Sequence, residues 1–242
     1  MAQIAKKIWN LIYPPRCPLC GEIIKGNQKL ACDNCYEELE YIEEPRCKCC
    51  SKAIAQDEAE YCYDCSRKEF YFESGVALWN YSSQMKQSLA MFKYHNRKEY
   101  GEFYGEEFVR MYGDALTNLE PDACIPVPVH WTRYIERGYN QAAVIANQIG
   151  KRLDIPVVDD LLIRTKKTIA QKQLDDKGRI QNLQGAFAVS EKWKRAECNM
   201  KRVVLIDDIY TTGSTINACA KALKQQGIKE IYFGVLCIGS GY

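Results

Sequence analysis

The amino-acid sequence predicts an α/β domain with a parallel sheet, preceded by a small cysteine-rich module. Two observations predict this architecture. From residue 76 onward, short apolar segments alternate with segments of helical periodicity, and nine of the 13 cysteines lie before residue 66. At 242 residues the chain has room for one ordinary domain and a small module, and we predict domains at 1–70 and 75–242.

Charge is distributed unevenly between the two parts. Residues 1–75 contain 10 Lys and Arg and 13 Asp and Glu, a net charge of −3, whereas residues 76–242 contain 23 and 18, a net charge of +5. The acidic N-terminal part is therefore not expected to bind DNA, because contacts with phosphates need a basic surface. The mildly basic C-terminal part suits a protein that binds anionic substrates.

No segment approaches the roughly 18 consecutive apolar residues that a membrane-spanning helix needs. Residues 1–13 contain a short apolar stretch but lack the apolar core and cleavage site of a signal peptide, so we interpret them as a short amphipathic helix. We accordingly expect a cytoplasmic protein without membrane insertion. In that compartment cysteines are metal ligands or free thiols rather than disulfides.

Eight of the N-terminal cysteines form a repeat in which the second unit follows the first by 30 residues. Each unit reads C-x2-C, eleven residues, C-x2-C. A two-residue gap allows both thiolates of a pair to reach one tetrahedral Zn²⁺ at about 2.3 Å, and four thiolates leave no open position for catalysis. The sequence therefore predicts two structural zinc sites. Their ligands are Cys17, Cys20, Cys32, Cys35, Cys47, Cys50, Cys62 and Cys65.

The pairing of these cysteines is a separate question. We favour four consecutive cysteines per site, because each unit already contains two pairs, and a crossed arrangement that mixes the units stays open. Cys49 interrupts the repeat and is a competing ligand. The remaining cysteines lie in apolar or helical segments, which is typical of packing residues. They are Cys124, Cys198, Cys219 and Cys237.

The elements of the second part follow in order. A weakly alternating segment at 75–81 predicts a first strand, and apolar residues at helical spacing predict helices over 84–95 and 99–116. The apolar segment 123–129 predicts a strand that ends in prolines, since proline cannot continue a central ladder. A shaped loop is expected next, over 130–141.

Further elements complete the alternation. A helix is predicted from the end of that loop to about Leu153, followed by a short strand at 155–158. Apolar segments at 202–206 and 231–238 predict the last two strands, and 216–226 predicts the helix between them. Strands that alternate with helices in this way are typical of a parallel sheet.

The strand at 202–206 runs directly into two adjacent acids and then into a hydroxyl-rich turn. Backbone N–H groups at the start of the following helix, together with the helix dipole, form an anion site. Hydroxyls can donate to phosphate oxygens, and the acids can accept from a vicinal diol or hold a divalent metal. This arrangement favours a ligand with a phosphate at one end and a diol at the other, such as a ribose 5-phosphate. The residues are Asp207, Asp208, Thr211, Thr212, Gly213, Ser214 and Thr215.

Other interpretations of this segment are weaker. Two acids after a strand can merely cap the next helix, but acids, hydroxyls and a glycine coincide here. The segment is neither a Walker A loop, since no lysine precedes the Ser/Thr pair, nor a G-x-G-x-x-G dinucleotide motif. It resembles the phosphoribosyl-pyrophosphate (PRPP) motif of type I phosphoribosyltransferases. The resemblance implies a parallel sheet like that of type I phosphoribosyltransferases.

Several further features, taken together, point to a more specific family. It comprises the double cysteine unit, the sequence RGYNQ at 137–141, Arg164 and Arg179 with polar neighbours, the sequence GAF at 185–187 and DDIYTTGST at 207–215. Together these features resemble the ComF family of bacterial competence proteins over nearly the whole chain. That resemblance implies a double zinc-ribbon module before a phosphoribosyltransferase-like domain, and a role in DNA transformation.

The resemblance also implies roles for individual residues. The turn at 211–215 would hold the 5-phosphate, and the acid pair would hold the ribose hydroxyls. Mg²⁺ and basic residues would neutralise the pyrophosphate, some of them on the basic loop 164–180, which would act as a lid. The candidate PRPP-binding cations are Arg133, Lys166, Lys167 and Arg179. The candidate catalytic residues are Asp207, Asp208, Arg137 and Arg164.

One position departs from the pattern of purine phosphoribosyltransferases. Those enzymes have an Asp three residues after the second acid, where it assists proton transfer at the base, and this chain has Thr211. A purine acceptor is therefore disfavoured, and binding of PRPP without transfer to a nucleobase stays open.

Three classes of function stay open. The first is a PRPP-dependent transferase that uses Mg²⁺. The second is a PRPP- or nucleotide-binding module that serves the uptake of single-stranded DNA beside a competence helicase. The third is an adaptor that docks a protein partner through the zinc module.

The two histidines and Trp131 can each be given a functional or a purely structural role. The two histidines, His95 and His130, are expected to be surface or packing residues, because lone histidines usually are. Trp131 lies among arginines and could stack on single-stranded nucleic acid. We favour an interpretation in which Trp131 packs its own loop.

Overall fold

The computed structural model describes residues 13–24, 30–55, 59–166, 185–195 and 199–239. The strands in these ranges are β1 (Gly75–Asn80), β2 (Ala123–Pro126), β3 (Leu162–Arg164), β4 (Phe187–Val189), β5 (Arg202–Tyr210) and β6 (Glu230–Ile238). The helices are α1 (Asp33–Glu37), α2 (Ser83–Tyr94), α3 (Tyr100–Asn118), α4 (Trp131–Arg137), α5 (Gln141–Leu153), α6 (Glu191–Arg195) and α7 (Ser214–Gln225).

Four of the strands form a parallel sheet in the order β1-β6-β5-β2. β5 and β6 pair along their whole length, from Arg202 opposite Glu230 to Tyr210 opposite Ile238. β2 lies on the other side of β5. The carboxyl ends of β2 and β5 are therefore neighbours, at the edge where open α/β sheets bind ligands. The predicted fold class is confirmed.

Successive residues of β5 point to opposite faces of the sheet, and each face has its own core. Val204 and Ile206 pack with apolar side chains of α2, α3 and α5. Val203 and Leu205 pack with those of α7 and of the antiparallel pair β3-β4. Because helices or strands cover both faces, the interior of β5 is continuously apolar up to the acids.

The cysteine-rich module packs against β1, at the edge of the sheet. Tyr41 forms an antiparallel bridge with Trp79, and the N–H of Ile42 donates to the carbonyl of Leu78 at 3.3 Å. An uncovered edge strand would present unpaired backbone groups, and these contacts satisfy some of them. The boundary between 1–70 and 75–242 stays a prediction.

Two predicted elements are wrong in detail. The segment expected as a loop contains helix α4, because the side chain of His130 accepts from the N–H of Thr132 and Gly138 ends the helix with a φ of 78°. The strand predicted at 155–158 is reduced to a single bridge between Cys124 and Val157.

Strand β5 ends at Tyr210 rather than at Ile206, the end that the apolar run predicts. The register places Asp207 opposite Val235 of β6. Backbone hydrogen bonds of a ladder form whatever the side-chain polarity, so the acids continue the strand. They consequently lie within the sheet rather than in a following loop.

Parts of the sequence-based interpretation fall outside the described residues. The amphipathic helix expected over 1–13 does so except for Tyr13, as do Lys167, Arg179 and Cys198. Among the helices of the described ranges, none combines the length and apolar character needed to cross a bilayer.

Candidate functional site

Each cysteine unit brings four sulfur atoms together, and in each unit these atoms lie within 4.8 Å of one another. The Sγ–Sγ distance is 3.8 Å between Cys20 and Cys32 and 3.7 Å between Cys50 and Cys62. Four sulfurs bound at about 2.3 Å to a tetrahedral zinc are about 3.8 Å apart, so the geometry fits this ion. The consecutive pairing is confirmed, and the crossed arrangement is wrong. The two groups are Cys17, Cys20, Cys32, Cys35 and Cys47, Cys50, Cys62, Cys65.

The same tight turn builds both zinc sites. The N–H of Gly21 donates to the carbonyl of Cys17 at 2.8 Å, and the N–H of Ser51 donates to the carbonyl of Cys47 at 2.8 Å. Gly21 and Ser51 both have positive φ, 79° and 66°. The repeat in the sequence is thus a repeat in backbone conformation, with serine taking a position that favours glycine.

The other cysteines have structural roles. Cys49 belongs to neither group of four, and its carbonyl accepts from the N–H of Gly75 at 2.9 Å, which ties the second zinc unit to β1. Cys124, Cys219 and Cys237 are buried in the core, as expected of packing residues.

A cavity of about 440 Å³ opens at the carboxyl end of the sheet, between the end of β5, the segment after β2 and helix α2. It brings together seven of the predicted site residues, namely Asp207, Asp208, Thr211, Thr215, Arg133, Arg137 and Arg164. Thr212 and Ser214 instead line a second cavity, of about 540 Å³, on the other side of the turn.

Asp207 and Asp208 are both buried where β5 reaches this cavity. The N–H of Asp208 donates to Oδ1 of Asp207 at 2.8 Å. Gln141 Nε2 donates to Oδ1 of Asp208 at 3.5 Å, and the ammonium of Lys93 forms an ion pair with Oδ2 of Asp208. The two acids therefore have different surroundings although they are neighbours in the chain.

These surroundings move the two pKa values apart. Burial, followed by the charge of Asp208, raises the pKa of Asp207 well above its usual range. Burial acts on Asp208 as well, but the charge and hydrogen bond of Lys93 outweigh it and leave the pKa of Asp208 below its usual value. Asp208 is consequently the ionised member of the pair, while Asp207 retains its proton more strongly.

Gly213 sets the shape of the hydroxyl-rich turn. Its φ of 77° lies in the left-handed region, and a Cβ atom would lie 2.4 Å from the hydroxyl oxygen of Tyr210. The N–H of Asn217 donates to the carbonyl of Gly213 at 2.8 Å, which starts α7. The turn therefore sits at a helix N-terminus, where free N–H groups and the dipole attract a phosphate.

Arg133, Arg137 and Arg164 contribute three cations to the cavity. The guanidinium of Arg164 lies 5.1 Å from the ring centre of Phe187. Burial, followed by the charge of Arg133, lowers the pKa of Arg164. Lys166 is exposed and does not line the cavity. The cavity thus brings three guanidinium groups and the acid pair together.

Three further residues of the site were not predicted as such. Lys93, Tyr94 and Gln141 also line this cavity, in which Arg137 is only 6% exposed. Arg137 donates from Nη1 to Oε1 of Gln141 at 2.7 Å and from Nη2 to the hydroxyl of Tyr94 at 3.1 Å. No local pattern marks Lys93, since the last turn of α2 meets the acids only in the folded chain. The sequence RGYNQ was the available signal for Gln141.

The interpretation of Trp131 is wrong. Its side chain is 64% exposed on α4, beside Tyr134 at 53% and Ile135 at 72%, so it does not pack the segment that carries it. The histidines behave as expected: His130 is buried and caps α4, and His95 lies at the surface.

Comparisons with known proteins agree with this architecture. Residues 8–66 match the family model "Double zinc ribbon domain", and residues 139–241 match "Phosphoribosyl transferase domain". Competence protein F of Haemophilus influenzae is 42% identical over 111 residues, which cover 46% of this chain and 48% of that protein. Competence protein ComFC of Streptococcus pneumoniae is 26% identical over 232 residues, which cover 89% and 96%.

A third relative is DNA utilization protein YhgH of Escherichia coli O157:H7, 29% identical over 117 residues, which cover 48% of this chain and 49% of that protein. The chain thus spans about half the length of the Haemophilus and Escherichia relatives. The fold and the two matched domains define a phosphoribosyltransferase-domain protein with a double zinc ribbon. These matches agree with the resemblance of the chain to the ComF family of bacterial competence proteins.

Proposed function

We propose that the protein binds PRPP together with Mg²⁺ in the cavity at the carboxyl end of the sheet. One observation carries the proposal: the acid pair, the hydroxyl-rich turn at the N-terminus of α7 and three arginines meet in one cavity of about 440 Å³. A ligand with a diol between two phosphorylated ends matches these three groups.

The sugar end of the ligand would be held by β5 and α7. The 5-phosphate would bind the N-terminus of α7, where Thr211 and Thr215 face the cavity and can donate from their hydroxyls. Asp208 is ionised and accepts hydrogen bonds from the ribose hydroxyls, and Asp207 supplies the second carboxyl group.

The pyrophosphate end would face Arg133, Arg137 and Arg164, with Lys166, Lys167 and Arg179 as further cations from the basic loop. Carboxylate and phosphate oxygens are the ligands that Mg²⁺ prefers, so the acid pair and a bound pyrophosphate suit this ion. When bound, Mg²⁺ would neutralise the charge that develops on the pyrophosphate as its bond to C1 breaks.

For turnover, Asp207, Asp208, Arg137 and Arg164 are the proposed catalytic residues, since they bring both signs of charge to the cavity. Thr211 stands where a purine-specific enzyme has its base-assisting acid. We therefore propose that any transfer uses an acceptor other than a purine, in a cytoplasmic protein.

The role of this binding would be in natural competence. Two relatives are named Competence protein F and Competence protein ComFC, and a third is named DNA utilization protein YhgH. We propose that the protein acts in the uptake or processing of single-stranded DNA during transformation.

Isothermal titration calorimetry of the zinc-loaded chain with PRPP and Mg²⁺ tests the binding proposal. We expect saturable binding that is lost when Asp207 and Asp208 are both changed to Asn. The exposed neighbouring acids Asp159 and Asp160 provide a matched control pair, whose double Asn variant should bind as the wild type does. Absence of binding by the wild-type chain at millimolar PRPP would contradict the proposal.

The second candidate is a non-catalytic adaptor that docks a DNA helicase through the zinc module. It is favoured by Tyr13, Tyr61 and Tyr63, which are 63%, 47% and 69% exposed on an acidic module. Aromatic residues are enriched in protein interfaces. A full chain with Tyr61→Ser and Tyr63→Ser should then lose transformation while PRPP binding is retained, and equal loss of both would contradict the adaptor.

A further inference from the structure

We propose that Lys93 is a positioning residue of the cavity, which holds Asp208 in place for the ribose hydroxyls through a closed ring of contacts that also fixes Arg137. The inference rests on the proposed PRPP site and adds to it a residue from helix α2, outside the matched phosphoribosyl transferase domain at 139–241.

The ring begins at the end of α2, where the consecutive residues Lys93 and Tyr94 both line the cavity. Lys93 forms an ion pair with Asp208, and the exposed fractions of the two side chains are 16% and 7%. Tyr94 accepts from Nη2 of Arg137 at 3.1 Å, and the Arg137 guanidinium lies 4.8 Å from its ring centre. Gln141 closes the ring, since it accepts from Arg137 at 2.7 Å and donates to Asp208 at 3.5 Å.

Helix α2 is firmly anchored, so the ring has a rigid base. Met85, Leu89 and Phe92 are buried in the core, and the hydroxyl of Tyr139 donates to the carbonyl of Phe92, next to Lys93. A lysine on a rigid helix can hold a buried carboxylate in one orientation, and a site performs best when its groups are held before the ligand arrives.

The geometry favours positioning over direct contact with the pyrophosphate. The ammonium of Lys93 is already engaged with the acid that would hold the sugar. Without this ammonium, Asp208 would be a buried carboxylate next to a second acid, and its orientation and charge would both change. Replacement of Lys93 should therefore weaken binding of the sugar end of the ligand.

The test measures three ligands separately by calorimetry on the zinc-loaded chain: PRPP with Mg²⁺, ribose 5-phosphate, and inorganic pyrophosphate with Mg²⁺. Lys93→Met should weaken PRPP and ribose 5-phosphate by the same factor, about 30-fold or more, and leave pyrophosphate within about twofold. Lys93→Arg, which keeps the cation, should restore most of the affinity. Lys151→Met, which removes an exposed lysine outside this cavity, is the charge-matched control and should bind all three ligands as the wild type does.

A second variant protects the test against a folding defect in Lys93→Met. Gln141→Leu leaves the ion pair in place but removes a hydrogen bond from Arg137 as well as one from Asp208, so unlike Lys93→Met it should weaken both ribose 5-phosphate and pyrophosphate. A variant counts as folded when it melts cooperatively near the wild-type melting temperature and contains two zinc ions per chain.

Two outcomes would overturn the role of Lys93 while leaving the proposed function intact. In the first outcome, Lys93→Met binds all three ligands with unchanged affinity. In the second, Lys93→Met loses affinity for PRPP and pyrophosphate but not for ribose 5-phosphate, which would make Lys93 a pyrophosphate contact. A wild-type chain that binds none of the three ligands would instead overturn the proposed function and this inference with it.

Discussion

Gly213→Ala should damage both the stability of the fold and the phosphate site, because two independent constraints act on this residue. Its backbone has a φ of 77°, and an added Cβ would lie 2.4 Å from the Tyr210 hydroxyl oxygen and 2.8 Å from Cζ. Tyr210 cannot easily move aside, since it is 3% exposed and its ring stacks on Phe233 with 5.0 Å between centroids and 7° between planes.

The two constraints can be converted into an expected loss. Alanine in the left-handed region costs about 1–2 kcal/mol relative to glycine. Overpacking against a fixed neighbour adds about 1–3 kcal/mol. The free energy of unfolding should therefore fall by about 2–5 kcal/mol in Gly213→Ala. Affinity for PRPP should fall as well, because the N–H groups of the turn would be displaced.

Urea unfolding of Gly213→Ala beside Gly227→Ala separates the two contributions. Gly227 also has a positive φ, of 98°, but its added Cβ would have nothing within 4 Å. Its variant should lose only the backbone part, about 1–2 kcal/mol, and bind PRPP normally. Tyr210→Phe in the Gly213→Ala background should recover part of the extra loss. Equal losses in the two alanine variants would show that the contact with Tyr210 is not a constraint.

Three further predictions concern the zinc sites, the acid pair and the exposed tryptophan. Cys50→Ser should reduce the zinc content from two ions per chain to one, measured by atomic absorption, whereas Cys49→Ser should retain both; equal zinc loss would contradict the assignment. Asp207 has a raised pKa, so the unfolded chain loses this proton at lower pH than the folded one and stability falls as pH rises from about 4 toward the folded pKa. Asp207→Asn should therefore stabilise the ligand-free protein, by an amount that grows with pH in urea unfolding between about pH 5 and 8; a constant difference would argue against the raised pKa. Trp131→Ala should change the free energy of unfolding by less than about 0.5 kcal/mol, whereas Trp79→Ala, in the core, should cost about 3–5 kcal/mol, and similar losses would contradict the surface position of Trp131.

The features that the sequence predicts well depend on local patterns. The cysteine spacing specifies two ligand sets because a C-x2-C turn brings its own two sulfurs together. The same backbone hydrogen bond closes this turn at Gly21 and at Ser51. The acids and the hydroxyl-rich turn are contiguous from Asp207 to Thr215, so their meeting at one end of β5 needs no long-range information.

The features that the sequence does not reveal depend on the packing of distant elements. Lys93 lies 115 positions before Asp208 and meets it only because α2 packs on the face of the sheet that Val204 and Ile206 line. The helix α4 is short, and its end signals, His130 and Gly138, are separated by a mixed polar and aromatic segment without clear periodicity. The exposure of Trp131 likewise follows from the orientation of α4, which composition cannot specify.

A crystal structure of the zinc-loaded chain with PRPP and Mg²⁺ would test the central claim most directly. We predict a 5-phosphate bound by the backbone N–H groups of the turn at 211–215 and ribose hydroxyls donating to Asp207 and Asp208, in the cavity that Arg137 lines. A ligand found in the cavity on the other side of the turn, which Thr212 and Ser214 line, or one that leaves the acid pair without contact, would contradict the account.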